Sequence, residues 1–324
     1  MASLIRQVLC VLAAGLALYQ DALSQTYPIR PIHLTVTNPP GPSTDLFARM
    51  VAPKLGEALG QPVVVENRGG ASGMIGAEYI AHSAPDGYNI MFCTTTQLMS
   101  VVVLKKSVPY DPIRDFAPIT LALQPVEIVL MRPNAPVNSF REFIDYARRN
   151  PGKLTYGSAG IGSTFHMVGE TLKSAAGVDI LHVPFKSPVL ATQDVVADRV
   201  DISFSAFGST RALIDSGKVK LIAILENERF KGTPDVPTVA EIVPGFEKVP
   251  SWFAFVGPAG LPQPLVLRWN AEVLKAMNAP DVHAWLDTNG LLVVGSTPEQ
   301  LTARIRSGTE VYRKVVNQLG IQPD

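Results

Sequence analysis

The period of the apolar positions changes repeatedly along the chain. Residues 32–37 (IHLTVT) alternate as a half-buried strand does, and Leu46–Leu59 then carries apolar residues at helical spacing, with Ser43 or Thr44 placed to cap it. Pro62–Glu66 (PVVVE) reads as a buried strand, the Gly-rich turn NRGGASGMIG leads into a helix through Ala81, and Tyr88–Thr94 is a third strand ending in Thr94-Thr95-Thr96. This alternation predicts a parallel sheet with helices on both faces and its ligand edge at the carboxyl ends of the strands.

A second α/β unit follows a Pro-rich connection, VPYDPIRDFAP. Val126–Met131 reads as a strand, and Ser139 with Glu142 forms a capping box for a helix ending near Asn150. Leu154–Gly157 and His182–Val183 are short strands, and Ala191–Ala197 is helical. Arg199–Phe204 and Val219–Leu225 are strands flanking a helix around Thr210–Ser216. From Trp252 the pattern gives one more strand (WFAFVG) and two helices that return to the first unit, the last capped by Thr297 with Pro298 next and Gln300 three on.

The N-terminus changes the compartment. It holds one basic residue, Arg6, an apolar run from Val8 to Leu18 too short to span a bilayer, and the small-residue end Ala22-Leu23-Ser24. A secretory signal cleaved near Ser24 is expected, and in a Gram-negative cell that means the periplasm. The mature chain then keeps one cysteine, Cys93, so no internal disulfide is available. Lys and Arg number 28 and so do Asp and Glu, which argues against nucleic acid or an acidic membrane as partner. A mature chain of about 300 residues exceeds what one core usually serves, so two lobes are expected.

Two turns carry the candidate chemistry. In Tyr156–Leu172 (YGSAGIGSTFHMVGETL) a strand end enters a Gly/Ser turn that opens into a helix, aiming unpaired amides and hydroxyls at whatever lies beyond. Such helix starts bind anions. Ser158, Gly160, Gly162, Ser163 and Thr164 belong to it, with Ser163 or Thr164 as cap. Pro40, Gly41, Ser43, Thr44 and Asp45 form a similar turn in NPPGPSTD, and Thr94 ends the third strand. Two anion seats suggest one ligand with two charged ends. Gly69, Gly70, Gly73 and Gly76 read as turn and close-packing glycines, and Lys186 as a solvated lysine.

The blocks YPIRPIHLTV, PPGPSTDLFAR, LGQPVVVENRGGASGMIGAE, APDGY, PYDPIRDFAPIT, NPGKLTYGSAGIGSTFHM, GVDILHVPFK, DVPTVAE, PGFE, SWFAFVGPAGLP and STPEQL, in this order, resemble the Bug family of extracytoplasmic solute receptors over essentially the whole mature chain. These are the substrate-binding components of tripartite tricarboxylate transporters. The resemblance implies an α/β, type II periplasmic-binding-protein fold with the ligand cleft between two lobes. It puts 25–125 with 248–324 in lobe 1 and 126–247 in lobe 2. It implies a monomer that binds a small organic carboxylate and hands it to integral-membrane transporter subunits, with no catalysis and no cofactor.

Departures from the family pattern narrow the ligand. Gly41 is followed by Pro42 and Ser43 where Gly-Gly-Gly or Gly-Gly-Pro is usual, which removes one amide donor. Ser205 stands where many members carry an Asp, which argues against a ligand with an ammonium group. Phe165 and Phe207 are placed to sandwich an aromatic dicarboxylate such as a phthalate or terephthalate. A sensor that reports to a membrane kinase would share all these features. A secreted aromatic-ester hydrolase is suggested only by Ser163 and His166, without a nucleophile elbow or third member. The five histidines are scattered and offer no metal-site spacing.

Overall fold

Residues 27–323 are described by a computed structural model, so the leader expected over 1–24 lies outside the described residues. The first unit runs β1 (Ile32–Val36), α1 (Ser43–Leu59), β2 (Val63–Asn67), α2 (Met74–Ala81) and β3 (Asn89–Thr94), then a π-helix over Thr96–Ser100, α3 (Val101–Leu104) and β4 (Phe116–Pro125). The second runs β5 (Glu127–Met131), α4 (Phe140–Arg149), β6 (Thr155–Ser158), α5 (Thr164–Ala176), β7 (Leu181–Pro184), α6 (Pro188–Val196), β8 (Ile202–Ala206), α7 (Phe207–Asp215), β9 (Lys220–Ile224) and α8 (Val239–Ile242). The chain returns through β10 (Phe253–Pro258), α9 (Gln263–Met277), α10 (Pro280–Thr288), β11 (Leu291–Val293) and α11 (Pro298–Gln318).

Two sheets result. One has the order β11-β4-β10-β3-β1-β2, the other β7-β6-β8-β5-β9. β1 pairs in parallel with β2 and β3, as the strand-helix alternation predicts, while β10 lies antiparallel between β3 and β4. In the second sheet β6 is parallel to β7 and β8, and β5 runs antiparallel to β8 and β9. This is the two-lobed α/β architecture of a type II periplasmic-binding protein. The chain passes between the sheets twice, through Val126 alone and through residues 225–252.

The cores follow from the alternation. Ile32, Leu34 and Val36 of β1 meet Phe47, Val51 and Leu55 of α1, while the Phe92 and Phe255 rings lie 4.6 Å apart at a tilt of 37°, and Trp269 of α9 closes that face. A second cluster continues from Met91 and Leu98 through Tyr156, Met167 and Phe204 to Tyr312 of α11, so the last helix is packed on both units. Cys93 is buried in this cluster, and burial pushes its thiol up, so it packs as an inert apolar group.

Several elements differ from expectation. Residues 116–125, expected to be connection at their start, form a ten-residue strand. Prolines argue against strands, yet Pro118 sits at a register shift opposite Phe255 and Val256, where the ladder is already interrupted. The C-terminal part contains α10 and β11 in addition to the elements expected. Neither Ser43 nor Thr44 caps α1: the helix starts at Ser43, with Pro42 at the cap position and no side-chain cap bond. Ser139 does cap α4, but the Glu142 carboxylate accepts from the Asn138 amide at 2.8 Å and not from Ser139. Thr297 and Gln300 form the full capping box.

Candidate functional site

The start of α5 is built from small residues that leave its first amides open. Gly160 and Gly162 adopt φ of +104° and +78°, which lets the loop turn sharply after β6. The Gly160 amide donates to Ser158 Oγ at 3.1 Å, and Ser158 Oγ lies 2.7 Å from His182 Nε2. Ser163 caps the helix, its Oγ accepting from the His166 amide at 3.2 Å. His166 Nδ1 accepts from the Gly162 amide at 3.1 Å, so the imidazole holds the loop while remaining neutral. Burial lowers the pKa of His166, and it drives His182 down to about 4 with a further push from His166. With those bonds made, the Thr164 and Phe165 amides have no acceptor among the described residues. A helix start with two open amides and a nearby hydroxyl favours an anion.

These groups open into a cavity of about 680 Å³. From the α5 side it is lined by Ala159, Ile161, Gly162, Ser163, Thr164 and Phe165. From the end of β3, the π-helix that follows it and the start of β10 come Thr94, Thr95, Thr96, Ser100 and Phe253, with Ser72 and Lys105 beside them. Glu127 at the start of β5, Ser251 of the second passage, and Val101, Leu104, Pro188 and Ile321 also line it. The volume suits a small ligand.

A buried glutamine fixes the opposing wall. Gln97 Oε1 accepts from the Thr94 amide at 2.9 Å and from the hydroxyls of Thr37 and Thr94 at 3.1 Å, while Nε2 donates to the Ser72 carbonyl at 2.7 Å. One side chain thus ties the ends of β1 and β3 to the Gly-rich turn. Gly73 is the close-packing glycine expected there: a Cβ would lie 2.3 Å from Gln97 Nε2, and its φ is +83°. Between the walls, Tyr312 of α11 donates to the Pro250 carbonyl at 2.9 Å and lies 3.4 Å from the Thr164 hydroxyl, and burial pushes its phenol up to about 12.

Of the residues expected to hold ligand, Thr94, Gly162, Ser163, Thr164 and Phe165 come together on this cavity. Ser158 and Gly160 stand one layer behind, shaping the loop. Pro40, Gly41, Ser43, Thr44 and Asp45 do not line it. The polar groups of Gly41, Thr44 and Asp45 are spent internally: Thr44 Oγ1 accepts from Asn38, and the Asp45 carboxylate takes the Gly41 amide at 3.0 Å, Arg49 at 3.0 Å and Asn67 at 2.9 Å. Burial raises the pKa of Asp45, but those donors outweigh it and hold the carboxyl below its ordinary value.

The aromatic sandwich is not assembled. Phe207 is buried against Phe230 at 5.0 Å between ring centroids, and Ser205 is 3% exposed with its Oγ 3.2 Å from Ser209. Phe165 does line the cavity, backed by Phe204 at 6.3 Å, and the second ring there is Phe253. Lys186 is exposed and away from the cavity. The Ser163 and His166 side chains face different partners and make no nucleophile-base pair. Sequence reasoning missed Ser72, Thr95, Thr96, Ser100, Glu127, Ser251 and Phe253; the run of three threonines was the available signal.

The model of the "Tripartite tricarboxylate transporter family receptor" matches residues 47–321. The chain belongs to this family. BugT of Bordetella pertussis is 31% identical over 312 residues, covering 96% of this chain and 95% of that protein. A protein of a Pseudomonas species, described as "UPF0065 protein in tcbD-tcbE intergenic region", is 35% identical over 94% of this chain and 92% of its own length. Among solved structures, R. palustris Rpa4515 with adipate superposes with a TM-score of 0.81 at 30% identity, covering 92% of this chain and all of that one. MatC of Rhodopseudomonas palustris with bound malate superposes at 0.75 and 31% identity, covering 90% and 100%. The periplasmic binding protein BugD gives 0.77 and 31%, covering 91% and 99%. Membership of the Bug receptors therefore holds over the length of the fold. No helix among the described residues is long and apolar enough to cross a membrane.

Proposed function

We propose that this chain is a periplasmic receptor that captures a small dicarboxylate in the cavity at the α5 start and delivers it to the integral-membrane subunits of a tripartite transporter. The observation that carries the reading is the pair of open amides at Thr164 and Phe165, at a cavity whose lining also carries the hydroxyls of Ser72, Thr94, Thr95, Thr96 and Ser100. One carboxylate sits on that helix start, and the other end of the ligand meets the Thr94–Thr96 wall. The adipate and malate complexes of the two R. palustris relatives support a carboxylate as the ligand class. Phe165 and Phe253 give the middle of the cavity an apolar surface that suits a hydrocarbon or aromatic spacer.

Residues 25–125 with 248–324 form one lobe and 126–247 the other in this reading, which the division of strands between the two sheets supports. Ligand touching both lobes favours the closed form, because only differential affinity shifts such an equilibrium. A thermal-shift screen of the mature protein against citrate, C4–C6 dicarboxylates, glutamate, nicotinate, protocatechuate, phthalate and terephthalate tests this. A ligand at 100 times its Kd stabilises by about 2.7 kcal/mol and raises the Tm by about 5–10 °C. No shift with any carboxylate would reject the reading.

A further inference from the structure

The helix that opens into the cavity is capped by different chemistry from other helices of the chain. In α8 and α11 the third helical residue, Glu241 or Gln300, completes a capping box with the threonine at the cap. In α4 the box is shifted by one residue. Ser139 Oγ accepts from the Glu142 amide at 3.2 Å, and the Glu142 carboxylate accepts at 2.8 Å from Asn138, the residue before the cap. The start of α5 repeats this shifted box bond for bond, with an imidazole in place of the acid. Ser163 Oγ accepts from the His166 amide at 3.2 Å, and His166 Nδ1 accepts at 3.1 Å from Gly162, again the residue before the cap.

We propose that His166 is the positioning residue of the anion seat: it takes the place of a capping-box acid while keeping negative charge away from the amides that receive the ligand carboxylate. This rests on the receptor reading above and names the residue that shapes its site. A carboxylate at this position would make the same bond to Gly162 and would suit the dipole of an ordinary helix start. Beside the open amides of Thr164 and Phe165 it would instead cancel the potential that a bound anion needs. The starts of α4, α8 and α11 do not line the cavity, so an acid in their boxes has no ligand to repel.

Geometry fixes the charge state of His166. Its Nδ1 receives an N–H and therefore carries no proton, so the ring is neutral for as long as it holds the turn. The groups packed around it agree. His182 lies 4.3 Å away, ring to ring, and its Nε2 is 2.7 Å from Ser158 Oγ, which accepts from the Gly160 amide at 3.1 Å. The two imidazoles thus pin the turn at Gly160 and at Gly162. Tyr156 stacks on His182 at 4.8 Å and donates to Glu170 at 2.7 Å, and Glu170 is balanced by Lys173 at 2.9 Å. Burial lowers the pKa of both imidazoles, in keeping with the hydrogen bonds.

The test is calorimetric titration of the full mature protein and of His166→Gln, His166→Glu and His166→Leu with adipate, malate and the carboxylate that gives the largest thermal shift, with Tm recorded for each variant. Glutamine and glutamate share shape and reach and differ in charge, and Glu142 of α4 shows that such a side chain spans to the residue before the cap. His166→Gln keeps a neutral acceptor, so its affinity stays within about threefold of the parent. His166→Glu keeps the acceptor and melts within about 3 °C of His166→Gln, yet binds about tenfold or more weakly, because a like charge now stands beside the bound anion. His166→Leu leaves the Gly162 amide unpaired and loses about three- to tenfold in affinity together with stability; the glutamine and glutamate pair carries the comparison if it does not fold. The inference is overturned if His166→Glu binds as well as His166→Gln, since charge at this place would then be immaterial. It is equally overturned if His166→Gln loses as much affinity as His166→Leu, since the packing of the ring and not its acceptor would then shape the seat. A parent protein that binds no carboxylate would instead overturn the receptor reading, and this role with it.

Discussion

Gly73→Ala tests the glutamine knot that shapes the threonine wall, and Gly60→Ala is its built-in control. Both glycines have φ of +83°, so both substitutions impose a left-handed conformation on alanine at a cost of about 1 kcal/mol. They differ in what the new methyl meets. At Gly60 nothing lies within 4 Å; at Gly73 the methyl falls 2.3 Å from Gln97 Nε2 and 3.0 Å from the Thr37 carbonyl oxygen. Gln97 must leave its site, where it makes four bonds and is 1% exposed. At about 1 kcal/mol per bond, with some recovered on rearrangement, the additional loss is about 2–4 kcal/mol.

Calorimetry or chemical denaturation should therefore give Gly60→Ala a Tm about 2–4 °C below the parent and Gly73→Ala about 6–20 °C below, at 2–4 °C per kcal/mol for a chain of this size. Ligand affinity separates them again. Gly60 is the C-cap of α1, remote from the cavity lining, and leaves binding unchanged. Displacing Gln97 frees Thr94 and Ser72, both on the wall, and weakens it. Equal Tm losses in the two variants would refute the claim that Gln97 organises this wall.

Phe207→Ala, a core deletion, costs about 3–5 kcal/mol while leaving carboxylate affinity within about threefold. Phe165→Ala costs less stability but lowers affinity for an aromatic dicarboxylate about two- to tenfold; denaturation and titration of both variants check the contrast. His182 contributes a pH dependence of definite sign. Its folded value near 4 lies below the ordinary 6.5, so the unfolded chain gains a proton first, and stability present above pH 6.5 is lost as pH falls toward 4. Partial exposure discounts the effect to about 1–2 kcal/mol, and it should be absent from His182→Gln in paired denaturation curves at pH 7 and 4.5.

The sequence was most informative where one physical rule acts alone. Alternation placed β1, and the Ser163 cap with Gly160 and Gly162 marked the helix start that opens into the cavity. It was least informative where tertiary partners decide. Asp45 has the spacing of a ligand-facing residue, but Arg49, Asn67 and the Gly41 amide, brought together by folding, consume its carboxylate. Phe207 opens α7 directly after a strand and Phe253 opens β10, and only the packing of Phe230 against the first and the cleft beside the second distinguishes their roles. Glu127 stands alone in an apolar run, a pattern with no local explanation; its partner Lys248 lies 121 positions away in sequence.

The central claim, that the α5 start holds a ligand carboxylate, is tested most directly by calorimetric titration of the tightest dicarboxylate into the parent and into the double variant Ser163→Ala/Thr164→Ala. Loss of the cap and of the Thr164 hydroxyl loosens the amides and removes direct donors, so affinity should fall about tenfold or more. Affinity unchanged to within about twofold, in a double variant that still melts cooperatively, would contradict it.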